Sequence, residues 1–200
     1  MTSYGLKIKL TAIASAALFC CTSAPGQISS AANIQIMQNS QNAKDQKADQ
    51  ALKADKNFVK NTIEGGLAEI ECSQLALQKS SNDELKRFAQ RMIDDHTKLR
   101  DQMKPIATQL GVKGPTEPTK KDKAVIAKLE SLSGDDFDKA YIKLMLKEHE
   151  MDAASFKQEA KSAQSPLVKD AATKDDPLIE GHLQMIQDIA KSMNITDSGM

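Results

Sequence analysis

The sequence predicts an all-α protein, a bundle of four long helices, and three observations predict it. Hydrophobic residues make up 40% of the 200 residues but aromatics only 4%, with no Trp. A core of Leu, Ile, Met and Ala belongs to helices rather than to sheets of aromatic and β-branched residues. Apolar residues also recur at alternating steps of four and three, the spacing that puts them on one helical seam. The clearest run is Leu85, Ala89, Met92, His96, Leu99, Met103, Ile106 and Leu110. Finally, Gly, Pro, Ser and Asn gather between such runs, where helices stop. The chain has 27 basic and 27 acidic residues, so it has no basic field to attract nucleic acid.

Residues 1–26 read as an export signal. Lys7 and Lys9 precede the apolar run Leu10 to Cys21, which is too short to span a membrane, and small residues follow. Cleavage after Gly26 would leave 25 cations against 27 anions, with no transmembrane segment in the mature chain. Lipidation at Cys20 or Cys21 is the alternative, but neither has the small residue expected before it. Cleavage leaves Cys72 alone, unable to form an internal disulfide, and its expected role is that of a small residue on a helix. Residues 27–54, rich in Gln, Asn, Ala and Lys, bury too little to offset ordering; they read as a flexible tether or a frayed helix.

The bundle is expected over residues 55–193. Helix one starts at Asp55, a plausible N-cap, and runs to Lys79 with Val59, Ile63, Leu67, Ile70, Gln74 and Leu77 on one face; Gly65-Gly66 marks close helix contact or a kink. Ser80-Ser81-Asn82 breaks the pattern, and Asn82 caps helix two, which reaches Leu110 with Pro105 bending its last turns. Gly111 to Lys123, with the short amphipathic piece Ala124 to Leu132, is longer than a turn needs and permits a crossover along the bundle. Helix three runs from Asp135 to Ser162 with Ile142, Met145, His149, Ala153 and Phe156 inward. Helix four follows Pro166 and runs to Met193, with a break at Asp175-Asp176-Pro177 and a seam of Leu178, His182, Met185, Ile189 and Met193. Residues 194–200 form a tail.

Four stretches in this order, Gly65 to Glu71 (GGLAEIE), Phe88 to His96 (FAQRMIDDH), Leu132-Ser133-Gly134 with Phe137-Asp138 and Tyr141, and Pro177-Leu178 with His182-Leu183, resemble the signature segments of the domain of unknown function family 4142. The resemblance covers about Asp55 to Met193. It implies an exported bacterial protein with a ferritin-like four-helix bundle, of a family often labelled outer-membrane proteins. It implies no activity.

The chemistry candidates are the three histidines, His96, His149 and His182, each on the inward seam of a different helix. At 1.5 Å per residue they lie about 21, 20 and 26 Å from their helix ends, near the middle of helices of roughly 40 Å. They can therefore share one layer. The Glu-x-x-His pairs of di-iron bundles are absent, since Ile93, Leu146 and Ile179 occupy the positions three before. Glu64, Glu71 and Asp152 are the available carboxylates, whereas Asp94, Asp95, Glu148, Glu150 and Glu180 are expected sideways or outward. Each histidine has a methionine one turn away on its seam, Met92, Met145 or Met185, and mixed imidazole and thioether ligation suits copper. Histidines that are merely hydrogen-bonded in a core are the commoner arrangement, and Met is a common core filler. The Lys120-Lys121-Asp122-Lys123 run reads as a solvated face. The first reading is thus an exported, non-catalytic structural or interaction protein of the periplasm or outer membrane, without cofactor, whose partner is another envelope protein. The rival is a bundle binding copper or another transition metal through His96, His149 and His182, with Met92, Met145, Met185 and Glu71 in support.

Overall fold

The computed structural model describes residues 30–195. The expected export signal at 1–26, with Cys20 and Cys21, and residues 196–200 of the expected tail lie outside them. The described residues form five helices: α1 (Ser30–Lys79), α2 (Asp83–Gln109), α3 (Lys120–Glu130), α4 (Gly134–Ser162) and α5 (Pro166–Ser192). The described residues divide into two units between Gln41 and Asn42. In the first, residues 30–41 are helical and expose Ile34, Ile36 and Met37. In the second, residues 42–50 are helical and exposed, and burial begins near Ala51. The stretch expected as a tether or frayed helix is thus helical from Ser30.

The directions of the long helices follow from their apolar contacts. One cluster unites Cys72 and Ala76 of α1, Leu85 to Met92 of α2, Phe137 to Met145 of α4 and Ile186 to Ala190 of α5. A second unites Phe58 to Ile63, Leu99 to Ala107, Ala153 and Phe156, and Val168 to Ile179 of the same four helices. Helices α1 and α5 therefore run one way, and α2 and α4 the other. Because α2 ends at the second cluster and α4 begins at the first, the segment between them must travel the length of the bundle. Helix α3 lies on that crossover, packs on α4 and seals the first cluster with Leu129. This is an all-α bundle with a long connection between its second and third long helices, as the sequence predicts.

Local chemistry sets the ends. Asn82 accepts from the backbone N–H of Glu84 and Leu85 at 2.9 and 3.0 Å, as expected of the cap of α2. Gly111, at φ +67°, closes the other end of α2: its N–H bonds to the Thr108 carbonyl and that of Val112 to the Ala107 carbonyl. That left-handed turn is open to glycine without a Cβ penalty. Thr119 and Asp122 form a reciprocal capping box at α3. Asp55 does not begin a helix. It lies inside α1, buried, and its carboxylate accepts from the backbone N–H of Gln164 and Ser165 at 3.2 and 2.6 Å, tying down the turn between α4 and α5.

Two prolines sit inside helices. Pro105 lies in α2, and Pro177 lies within α5 where the sequence predicts a break. The helix continues because proline removes only one backbone hydrogen bond, and the neighbouring turns carry Ala172 and Ile179 into the second cluster. None of the described helices is long and apolar enough to cross a membrane. Replacing Asn82 by Ala should lower stability by about 1 kcal/mol, read as a lowered urea midpoint with an unchanged slope.

Candidate metal centre

Between the two apolar clusters each long helix contributes one polar position. His96 falls between Met92 and Leu99, His149 between Met145 and Ala153, His182 between Ile179 and Ile186, and Glu69 between Ile63 and Cys72. All four are buried, the histidines at no more than 2% exposure and Glu69 at 4%. The expected shared layer forms. The rings lie 5.3 to 5.7 Å apart between centroids, and one nitrogen from each lies within 4.8 Å of the other two.

Two of the three rings are held by a hydrogen bond through one nitrogen. His149 Nδ1 lies 2.9 Å from the Met145 carbonyl, which can only accept, so Nδ1 carries the proton and Nε2 the lone pair. His182 Nε2 lies 3.1 Å from Asp95 Oδ2 and donates to it, leaving Nδ1 with its lone pair. His96 Nδ1 lies 3.0 Å from Glu69 Oε2, off the line of a hydrogen bond, while Glu69 Oε1 is 3.6 Å from His149 Nδ1. His96 Nε2, His149 Nε2 and His182 Nδ1 have no hydrogen-bond partner among the described residues. His149 and His182 thus each pair one hydrogen-bonded nitrogen with one unpartnered nitrogen, while His96 sets Nδ1 against Glu69 and leaves Nε2 unpartnered.

The backbone makes room for this arrangement at Gly66. A Cβ there would stand 3.6 Å from His96 Nδ1 and 3.9 Å from its Cβ, so a larger side chain would displace the imidazole. Gly66, Glu69, Ser73 and Ala76 are the inward line of α1, and Ser73 extends it by a 2.8 Å hydrogen bond to the buried Tyr141 hydroxyl.

Burial sets the protonation. It holds His96 well below the usual imidazole range and brings His149 down to about 4, in each case with repulsion from neighbouring rings adding. It also lowers His182, against the pull of Asp95. Glu69 is pushed well above the carboxylate range, first by burial and then by Asp152 and Glu148; Asp152 itself is raised to about 7 by burial and by Glu148. Burial opposes ionisation of Asp95 too, but His182, Arg91 and Lys98 hold it below its ordinary value. At neutral pH the three rings are therefore uncharged.

The methionines stand differently from the histidines. Met92 and Met145 are buried in the first cluster and Met185 packs partly buried against it; what Met145 brings to the layer is its backbone carbonyl. Glu71 is a correction: it is only half-buried and pairs with none of the histidines. Glu69, two residues earlier and about 200° round the helix, takes that place. Asp95, expected sideways, turns in to His182. The signal for Glu69 was the line of small and polar residues at Gly66, Ser73 and Ala76, masked by a seam drawn through the larger Leu67 and Ile70. Cys72 is buried, with its thiol pushed up to about 12, which suits the inert role expected of it.

A four-helix bundle holding an uncharged imidazole triad between two apolar clusters defines the class of this protein. The chain belongs to the family described as Domain of unknown function (DUF4142), whose profile matches residues 39–189. Two solved structures share the fold. One is a DUF305 protein from Streptomyces coelicolor, at a TM-score of 0.62 and 16% identity over 74% of this chain and 96% of that one. The other is a DUF305 fragment from Deinococcus radiodurans, at 0.61 and 14% over 70% and 96%. At these identities the likeness is one of fold. No protein of curated function matches the chain significantly.

The shifted groups oppose one another in their effect on stability. Between about pH 4 and the ordinary imidazole value, unfolded His149 binds a proton that the folded protein refuses, so stability rises with pH. Asp152 works in reverse: folded, it keeps its proton up to about pH 7, so its contribution is present at low pH and lost as pH rises to 7. Asp152→Asn should therefore show a steeper gain in unfolding free energy from pH 4.5 to 6.5 than the native protein, measured by urea titration at each pH.

Proposed function

We propose that this protein is a metal-binding bundle whose ligands are His96, His149 and His182, acting after export to the periplasm in a non-catalytic role. One observation carries the reading: three buried rings each keep one nitrogen without a hydrogen-bond partner among the described residues, and one nitrogen from each ring lies within 4.8 Å of the other two. A layer serving only to pack helices would gain nothing from this, because a buried polar atom left without a partner costs about 1–3 kcal/mol. A bound ion removes that penalty at all three atoms.

The donor set selects the ion. Neutral imidazoles favour zinc and copper(II) over magnesium or calcium, which take oxygen ligands. Nitrogens bound at about 2.0–2.1 Å stand roughly 3.3–3.6 Å apart, so the rings would close by about 1 Å. Carboxylate and carbonyl groups behind metal-bound histidines are the usual orienting shell, the role open to Glu69, Asp95 and the Met145 carbonyl. With Glu69 and Asp95 ionised, two negative charges would balance a divalent ion. Binding would then expel the proton that burial keeps on Glu69, so affinity should fall as pH falls.

A non-catalytic role is supported by burial, since at 0–2% exposure the rings have no face open to a substrate. Export is supported by the signal-like run at Lys7 to Cys21 and by the name of the Streptomyces coelicolor neighbour, a candidate secreted protein. Association with the outer membrane or with another envelope protein is a further step on the same reading.

Untagged protein stripped of metal should take up one equivalent of zinc or copper(II) and unfold at a higher temperature when loaded. His149→Ala should abolish uptake. Glu69→Gln and Asp95→Asn should weaken it by roughly 10- to 100-fold. Native protein that takes up neither ion, measured by elemental analysis after gel filtration, would return the triad to a packing role.

A further inference from the structure

A cavity of about 250 Å³ lies between α1, α3 and α4 and ends on Glu69. None of the three histidines lines it, but Glu69 does, and its Oε2 lies 3.0 Å from His96 Nδ1. It is 4% exposed and neither of its oxygens has a hydrogen-bond partner among the described residues. The other charged lining is Asp122, Glu148 and Asp152 against Lys121 and Lys147. Asp122 is occupied by the cap of α3, where it accepts from the Thr119 backbone and hydroxyl at 3.1 and 2.7 Å. Glu148 and Asp152 are one turn apart on α4, and each raises the energy of a charge on Glu69. A cation in the cavity would relieve that repulsion.

Given the metal reading above, on which this rests, we propose that the cavity is the port through which a divalent cation enters and leaves the histidine triad. Glu148 and Asp152 take the ion from solvent and Glu69 hands it to His96. An ion held by three buried rings needs such a path, because the apolar clusters close the layer from both ends of the bundle.

The geometry supplies a plug that spares every ligand. A Cβ added at Gly65, on the cavity wall, meets nothing within 4 Å. Gly65→Leu therefore fills the port, and exchanging a mid-helix glycine for leucine favours α1 rather than threatening it. The full-length protein would be mixed with zinc in a stopped-flow instrument and unloaded with excess chelator. Gly65→Leu should slow uptake and release by about tenfold each, leaving stoichiometry and affinity unchanged. The double variant Glu148→Gln with Asp152→Asn should slow uptake by about tenfold at low salt, with less dependence on ionic strength. If Gly65→Leu exchanges zinc at the native rate, the port is elsewhere and the triad stands as the metal site. If the native protein takes up no zinc or copper(II), both the port and the triad fail together.

Discussion

Four ionisable side chains buried in one layer, with apolar clusters on both sides, are the constraint on which the rest of this bundle depends. Polar groups removed from water need partners, and an apolar core supplies none. The layer meets that demand in part and by specific means: the Met145 carbonyl and Asp95 each hold one imidazole, and Glu69 lies against a third. Burial then drives the layer to neutrality, holding the imidazoles uncharged and favouring the protonated form of Glu69. What is left over is one unpartnered ring nitrogen on each histidine, a poor packing element and a good ligand set.

The same layer specifies register. A residue's slip along a helix turns a side chain by about 100°, which would carry a histidine out of the layer and bring an apolar neighbour in. His96, His149 and His182 meet only if α2, α4 and α5 keep their alignment. At Gly66 α1 packs against His96, beside the Glu69 carboxylate. The crossover matters too, since running from the second cluster back to the first it lays α3 beside α4, where Lys121 and Asp122 complete the wall of the cavity over Glu69.

Much of this was legible in the residues. The seam through Leu85, Met92, His96 and Leu99 and the cap at Asn82 lead to the bundle, and the length of the segment from Gly111 to Leu132 permits its crossover, without any tertiary information. The three histidines were legible as a shared layer because each sits near the middle of its helix. Less visible were contacts that depend on how a helix is rotated against its neighbours. Asp55 reads as a cap of its own helix and instead caps the turn before α5. Pro177 reads as a break, yet packing of Ala172 and Ile179 carries α5 through it. Glu71 and Glu69 are equally good candidates by composition, and a seam drawn through the bulkiest residues of α1 points to neither.

By itself the sequence determined the four long helices and the placing of one histidine on the inward face of each of three of them, because these follow from residue type and the 3.6-residue period of a single helix. Only the tertiary structure decided that one nitrogen of each ring comes within 4.8 Å of the other two, which nitrogen of each lacks a partner, and that Glu69 and Asp95 stand beside them. Those outcomes depend on the rotation of each helix about its own axis and on the direction of each ring, and spacing along one chain encodes neither.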